Sequence, residues 1–247
     1  MKKTKIIMGM PIIVEILGTN SSSLFKKVFG YFESVDDKFS TYKPSEVSLI
    51  NSHQLSLRDA SREMQEIWAL SEKTKKETNG FFDISHQGQI DPSGIVKGWA
   101  VLRTSQIIKQ AGFMDYYINA GGDIQAGGHN GSGKSWQIGI KNPFKDTEII
   151  KILHLTNLGV ATSGSYIRGA HIYRPTHLKS QFPLGDVISL TVIGPNVFEA
   201  DRFATAAFAM GRAGIWYIEK LPNFEGYLID KHGLATETSG FAKYTKN

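Results

Sequence analysis

Residues 116–127 read Tyr116-Tyr117-Ile118-Asn119-Ala120-Gly121-Gly122-Asp123-Ile124-Gln125-Ala126-Gly127. Two strand-like runs, 116–119 and 124–127, stand on either side of a glycine-rich segment with turn chemistry. The same alternation of strand-like runs with Gly, Asn and Pro continues through the second half of the chain. Further strands are predicted at residues 136–141, 149–156, 160–163 and 187–193, with a final hairpin at 226–230 and 234–238. This half of the chain therefore predicts a β-sheet.

Helical periodicity precedes the β-rich half. Apolar residues recur at three- and four-residue spacing from Leu24 to Phe39, and residues 39–44 then predict a loop. Further helices are predicted at residues 59–78, 94–111 and 198–210, and short strands at 12–17 and 81–85. We therefore expect an α+β fold. It should form a single domain over residues 1–247, with several helices packed on a mixed or antiparallel sheet.

Composition and charge exclude several classes of function. The 247 residues include no cysteine, which excludes disulfides, zinc–thiolate sites, iron–sulfur clusters and cysteine nucleophiles. The net charge is +5, but the basic residues are scattered, so nucleic acid is not an expected partner. The basic N-terminus leads into an interrupted apolar stretch without a cleavage site, and no apolar run reaches the roughly 18 residues of a membrane span. We expect a cytoplasmic protein without a membrane span.

Residues 91–98, Asp91-Pro92-Ser93-Gly94-Ile95-Val96-Lys97-Gly98, stand at the predicted start of a helix. A helix N-terminus offers unpaired N–H groups and a positive dipole end, which suit an anion. Gly94 allows close approach of a ligand, and Lys97 adds a positive charge one turn into the helix. The local alternative is that Asp91 caps the helix and Lys97 is a surface charge.

Asp201 and Thr205 are four residues apart in the helix predicted at 198–210, so their oxygens share one face. A carboxylate with a hydroxyl is a hard-oxygen donor set of the kind that Mg²⁺ or Ca²⁺ prefers. The alternative is that Asp201 caps the helix and Thr205 bonds within it.

Two glycine- and hydroxyl-rich segments, 119–123 and 162–166, are predicted as loops after strands, where their N–H groups could line a nucleotide site. Gly-Gly-Asp is also ordinary turn chemistry. His171 follows the second segment and is a natural general base, although a lone histidine is more often structural than catalytic.

Eight motifs occur in a fixed order along the chain, and that order is more specific than any single motif. They are Met8-Gly9, residues 39–51, Gly80-Phe81-Phe82-Asp83-Ile84-Ser85, residues 91–98, residues 119–123, residues 161–166, His171 and Ala200-Asp201-Arg202-Phe203-Ala204-Thr205-Ala206. The series resembles the ApbE-type FAD:protein FMN transferases over about residues 8 to 210.

The resemblance implies a Mg²⁺-dependent enzyme that cleaves FAD, releases AMP and attaches FMN by a phosphoester to a Thr or Ser of an acceptor protein. The resemblance implies FAD contacts at Met8, Tyr42, Asp91, Lys97 and His171. It implies metal ligation by the Gly94 carbonyl, Asp201 and Thr205, and catalytic roles for Asp201 and for His171 as the base. We further expect Lys97→Ala to weaken FAD binding or turnover while leaving the fold intact.

The residues leave two other functions open. In a Mg²⁺-dependent FAD pyrophosphatase, water would replace the protein hydroxyl and release FMN and AMP. In a flavin-binding module there would be no turnover. Only residues 86–90 separate the motif at 80–85 from Asp91, where many family members carry a long insertion. A flavin bound here is therefore expected to be more exposed, or to be covered by a partner.

Overall fold

A computed structural model describes residues 1–164 and 184–245 of the protein. Its centre is an eight-stranded sheet formed by β1 (Lys2–Ile7), β2 (Met10–Ile16), β5 (Tyr116–Ala120), β6 (Asp123–Gly127), β9 (Gly159–Gly164), β10 (Val187–Gly194), β11 (Glu225–Asp230) and β12 (Ala235–Glu237). The strands lie in the order β1-β2-β5-β6-β9-β10-β11-β12. Every pair of neighbouring strands in this sheet is antiparallel. The expected α+β fold with an antiparallel sheet is confirmed.

Six α-helices within the described residues pack on one face of this sheet or on one another. They are α1 (Ser22–Phe39), α2 (Glu46–Asn51), α3 (Arg62–Glu77), α4 (Ser93–Gln110), α5 (Val197–Ala209) and α6 (Ala213–Glu219). One core joins apolar residues of α1, α3 and α4 to the inner face of β2 and β5, and a second joins α5 and α6 to β10 and β11. Burial of these apolar faces stabilises the helices, because isolated helices of this length are marginal in water.

The opposite face of the sheet is covered by a long hairpin. The hairpin consists of β7 (Trp136–Asn142) and β8 (Lys145–Leu155) and is hydrogen-bonded as a separate two-stranded sheet. Alternate residues of the hairpin, including Ile138, Ile140 and Leu153, pack with Val160 and Ile193 of the main sheet. The molecule therefore has three layers, with helices on one side of the sheet and a hairpin on the other.

The helix boundaries follow local capping chemistry. Ser21 accepts a hydrogen bond from the N–H of Leu24 over 3.2 Å at the start of α1, and Ser61 and Asn196 cap α3 and α5 in the same way. Such caps are worth about 1 kcal/mol each. The helices predicted at 59–78, 94–111 and 198–210 thus have their observed ends within a few residues of the predicted ones.

The strand predicted at residues 81–85 is wrong. Phe82 and Ile84 are buried in the helix-side core, but the segment forms no ladder, and only Ser85 pairs, in the two-residue strands β3 (Ser85–His86) and β4 (Gln89–Ile90). Buried residues at alternate positions produce the same sequence pattern as a strand, even where the segment does not pair with another strand.

The elements that were not predicted include β1, α2 and α6. β1 is a lysine-rich edge strand, and charged edge strands lack the alternation that reveals a strand. α2 begins with a capping box in which Ser45 and Ser48 bond reciprocally. The strand predicted at 160–163 is confirmed as part of β9 (Gly159–Gly164), so the start of the segment predicted as a loop at 162–166 belongs to this strand.

No helix within the described ranges combines the length and the apolarity that a bilayer crossing would require.

Candidate active site

The site is organised by the close crossing of α4 and α5. The N–H of Gly98 in α4 donates a hydrogen bond over 2.8 Å to Oδ2 of Asp201 in α5. A Cβ at position 98 would lie 2.7 Å from Cβ of Asp201 and 3.0 Å from the carbonyl oxygen of Val197. Only glycine therefore allows the two helices to approach this closely. Asn196, not Asp201, caps α5, so the capping alternative for Asp201 is excluded.

Three oxygen donors meet where these helices cross. Oγ1 of Thr205 donates a hydrogen bond to the carbonyl oxygen of Gly94 over 3.3 Å. Both residues line the same cavity as Asp201, which is one helical turn from Thr205. Gly94 itself packs on Thr205, because a Cβ there would lie 3.1 Å from Cγ2 of Thr205. The sequence-predicted metal ligands are thus brought together by two different helices.

Lys97 faces the same cavity and forms an ion pair that the sequence did not predict. Its Nζ lies 2.7 Å from Oδ2 of Asp123, at the start of β6. The Asp123 side chain is 0% exposed and that of Lys97 is 14% exposed. Asp123 belongs to the motif at 119–123, but no local signal connects it with a lysine 26 residues earlier. The alternative that Lys97 is a surface charge is excluded.

The opposite wall of the cavity is made by two tight turns. Met8 and Gly9, with φ of 56° and 70°, connect β1 to β2. Two consecutive positive φ values are typical of the type I′ hairpin turn. Gly121 connects β5 to β6 with φ of 59°, and a Cβ there would lie 2.7 Å from Sδ of Met10. The turns therefore pack on each other and present Met8 to the cavity.

Asp91 lies at the entrance of α4 without capping it. The N-cap residue is Pro92, and Oδ1 of Asp91 instead accepts a hydrogen bond from the N–H of Ser93 over 2.9 Å. This short-range bond holds the carboxylate at the cavity rim, where Asp91 is one of the lining residues.

These groups enclose a cavity of about 630 Å³, within the usual range for small-molecule sites. All of the sequence-predicted site residues that the structure describes line it: Met8, Tyr42, Asp91, Gly94, Lys97, Asp201 and Thr205. Tyr42 is 97% exposed, so its ring is available to a flat ligand. His171 lies outside the described residues, and its expected roles as base and FAD contact stay predictions.

Further lining residues come from the motifs at 80–85 and 161–166. Phe81, Phe82 and Asp83 contribute from the first, and Ser163 and Gly164 from the second. Oδ2 of Asp83 lies 2.7 Å from Nζ of Lys75 in α3. The hydrogen bond from Lys75 to Asp83 raises the pKa of Lys75 above its ordinary value. Asp83 was part of a quoted motif, but it was not predicted as a site residue.

Arg202 locks α5 to α3 immediately beside the site. Its guanidinium is almost fully buried and forms ion pairs with Glu77 of α3 and with Glu199 of its own helix. Truncation of the Arg202 side chain would leave the carboxylates of Glu77 and Glu199 without their counter-charge and would destabilise the fold. We therefore expect Arg202 to have a structural role. It holds the helix that carries Asp201 in place.

The donor set decides which metals fit. Within residues 1–164 and 184–245, no group of three His, Asp or Glu side chains converges as a metal cage. One carboxylate, one hydroxyl and one carbonyl are hard, oxygen-only donors and too few for a closed cage. This set fits Mg²⁺, which commonly keeps water and substrate phosphate in its coordination shell.

Two solved structures share the fold. A flavin transferase, ApbE, from Vibrio cholerae superposes with a TM-score of 0.83 and 21% identity, covering 99% of this chain and 98% of the other. The ApbE protein from Thermotoga maritima superposes with a TM-score of 0.86 and 21% identity, covering 100% and 99% of the two chains. These comparisons define the three-layered antiparallel architecture as that of ApbE proteins.

The family itself follows from sequence. The ApbE family model matches residues 8–88 and 85–228, which together span most of the chain. The chain therefore belongs to the ApbE family.

Curated relatives agree with this assignment. A protein from Haemophilus influenzae named FAD:protein FMN transferase is 31% identical over 187 residues, which are 70% of this chain and 53% of the relative. A protein of the same name from Escherichia coli K12 is 26% identical over 156 residues, which are 60% and 44% of the two chains. The chain thus spans about half the length of the curated relatives it matches.

Proposed function

We propose that this protein is a Mg²⁺-dependent FAD:protein FMN transferase, with residues 1–247 acting as a single catalytic domain. It would cleave the diphosphate of FAD, release AMP and join FMN by a phosphoester to a Thr or Ser hydroxyl of an acceptor protein. The observation that carries the proposal is the crossing of α4 and α5. There one cavity contains a lysine and an oxygen-only donor set formed by Gly94, Asp201 and Thr205. The name shared by the curated relatives supports the same activity.

FAD would bind with its diphosphate against Lys97 and the start of α4. The ammonium group and the positive end of the helix dipole both favour an anion at this position. Tyr42 offers an exposed ring for stacking, and Met8 offers a thioether that adapts to a flat aromatic surface. Asp91, at the rim, would contact the adenine side of the molecule.

Mg²⁺ would be held by Asp201, Thr205 and the Gly94 carbonyl, and it would supply positive charge against the diphosphate oxygens. The side chains around it act mainly by positioning. The hydrogen bond from Gly98 orients Asp201, and the bond between Thr205 and Gly94 keeps the two neutral oxygens together. Phosphoryl transfer depends largely on such positioning and on charge stabilisation.

The reaction balances without a further reactant. The acceptor hydroxyl oxygen forms a bond to the phosphorus of the FMN half, and the P–O bond to the AMP half breaks. AMP leaves with that electron pair, and the hydroxyl proton passes to a base. We assign the base to His171 on the family resemblance, and general-base assistance of this kind is typically worth 10²–10⁴-fold in rate.

Mass spectrometry of an acceptor tests the proposal. The protein is incubated with FAD, Mg²⁺ and a candidate acceptor domain, and the intact acceptor is weighed while AMP is quantified. We expect the acceptor to gain one FMN group for each AMP released. Reactions with EDTA, and with an acceptor whose target Thr is replaced by Val, are the controls.

The alternatives give different products in the same experiment. Free FMN and AMP with an unmodified acceptor would identify a pyrophosphatase, a reaction compatible with the open cavity beside the exposed Tyr42. Saturable FAD binding without AMP would identify a binding module.

A further inference from the structure

We propose that Asp123 is a positioning residue that holds the ammonium group of Lys97 in the correct orientation at the wall of the cavity. The proposal rests on the proposed function, in which Lys97 contacts the FAD diphosphate. Asp123 would not touch FAD itself; it would act through Lys97.

The environment of the carboxylate supports this role. Asp123 is completely buried, and its Oδ2 lies 2.7 Å from Nζ of Lys97. Among residues 1–164 and 184–245, no group donates a hydrogen bond to either carboxylate oxygen, so the Lys97 ion pair is the interaction that compensates the buried charge. A buried carboxylate without a counter-charge is strongly unfavourable, so the nearby Lys97 ammonium group offsets the cost of burying Asp123.

The backbone fixes Asp123 firmly. It is the first residue of β6 and pairs with Ala120 across the Gly121-Gly122 turn. Two residues farther along the same strand, Oε1 of buried Gln125 accepts a hydrogen bond from the N–H of Val197 over 2.9 Å at the start of α5. Strand β6 therefore contacts α4 through Asp123 and the first turn of α5 through Gln125. It connects both helices that carry the site.

The chemistry of lysine explains why an anchor is needed. A lysine side chain has a flexible four-carbon stem that ends in a compact ammonium group with three N–H donors. A close ion pair with a rigid carboxylate restricts the rotamers, and the N–H donors of the ammonium group stay available to phosphate oxygens. The limited exposure of Lys97, 14%, agrees with an ammonium group held at the cavity wall.

The pair is asymmetric, which makes the two single substitutions unequal. Lys97→Met would leave a fully buried carboxylate without its counter-charge, whereas Asp123→Asn would leave an ammonium group that can still reach the cavity. The sequence-based expectation that Lys97→Ala spares the fold is therefore revised: loss of this lysine should also lower stability. A substitution of Lys97 by itself therefore cannot separate an effect on FAD binding from an effect on stability.

A double-mutant cycle separates them. The FAD dissociation constant is measured by flavin fluorescence for wild type, Asp123→Asn, Lys97→Met and the double variant. We expect Asp123→Asn to raise the dissociation constant about tenfold when Lys97 is present and less than about twofold when Lys97→Met is already in place. We also expect Asp123→Asn to restore the thermal midpoint that Lys97→Met lowers. An effect of equal size with and without Lys97, or no effect with Lys97 present, would overturn the proposal.

Chemical labelling of Lys97 adds a readout that does not depend on FAD. The rate at which an acetylating reagent modifies the Lys97 amine is followed by peptide mass spectrometry. Loss of the carboxylate should increase that rate severalfold, because an amine that is no longer held at the cavity wall is more accessible to the reagent. An unchanged labelling rate in Asp123→Asn would also overturn the proposal. Failure of the wild type to bind FAD would instead refute the proposed function, while labelling and the stability cycle still decide whether Asp123 holds Lys97.

Asp230→Asn is the matched control. Asp230 is 3% exposed and pairs with Arg212 over 2.5 Å, and neither residue lines the cavity. We expect this variant to lower the thermal midpoint without changing FAD affinity or Lys97 labelling. A loss of FAD affinity as large as that of Asp123→Asn would mean that any buried ion pair has this effect, and would overturn the specific role.

Discussion

The backbone N–H of Gly98 donates a hydrogen bond over 2.8 Å to Oδ2 of Asp201, although the two residues are 103 positions apart in sequence. The bond joins α4 to α5 at a close contact, where α4 could not accept a larger side chain at position 98. Because Gly94 and Thr205 lie one turn from this contact on the same two helices, the geometry of the oxygen donors depends on it. The following predictions test that dependence and the roles of the neighbouring residues.

Gly98→Ala should force α4 and α5 apart. The new Cβ would lie 2.7 Å from Cβ of Asp201 and 2.9 Å from its Oδ2. Overpacking of this kind costs about 1–3 kcal/mol in the free energy of unfolding, which urea titration measures. The matched control is Gly30→Ala in α1, where nothing lies within 4 Å of the added Cβ. That variant should be more stable by about 0.5–1 kcal/mol, since alanine favours helix. Equal stabilisation by both substitutions would contradict the steric argument.

Asp201→Asn should abolish AMP release while sparing the fold. The asparagine carbonyl can still accept the hydrogen bond from Gly98, but it carries no charge for a divalent cation. AMP is quantified by chromatography at increasing Mg²⁺ concentrations, alongside the thermal midpoint. If the wild type remained fully active in excess EDTA, the metal would have no part in the reaction.

Thr205 allows a sharper test, because valine and serine separate its shape from its hydroxyl. Thr205→Val keeps the volume but removes the oxygen that bonds to the Gly94 carbonyl. We expect the Mg²⁺ concentration for half-maximal activity to rise about tenfold or more, whereas Thr205→Ser should stay near wild type. Equal losses in the two variants would assign Thr205 a packing role instead.

Tyr42→Ala should weaken FAD binding without affecting stability. The ring is 97% exposed, so its removal changes the free energy of unfolding by less than about 0.5 kcal/mol. Loss of stacking worth about 1 kcal/mol would raise the FAD dissociation constant about fivefold. Tyr42→Phe, which keeps the ring, should bind like wild type. Flavin fluorescence titration measures both, and an unchanged affinity for Tyr42→Ala would remove the ring from the site.

His171→Asn should reduce transfer while FAD still binds. A base must be neutral to accept a proton, so the transfer rate should fall as the pH drops below the histidine pKa, near about 6.5 for an unshifted imidazole. The variant should lose this acidic limb. Wild-type transfer by His171→Asn would favour a structural histidine, and loss of FAD binding would mean that the residue holds the substrate.

The amino-acid sequence by itself determined the fold class, the major helices and most of the site's residue types. Helix α1 shows why: its apolar spacing from Leu24 to Phe39 is a local signal, and it describes the observed helix. The ordered motifs predicted seven of the described residues that line the cavity. This was possible because the residue types within each short motif indicate its chemistry without knowledge of the rest of the fold.

Only the tertiary structure decided how those segments meet. Lys97 pairs with Asp123, and Gly98 contacts Asp201, although neither local sequence indicates its partner. The position of β1 at the edge of the sheet is likewise not indicated by its own sequence. The same limit explains the wrong strand at 81–85, where burial came from packing against helices and not from a ladder. Periodicity and capping are properties of neighbouring residues, whereas ion pairs, close helix crossings and strand order depend on where distant segments lie in space.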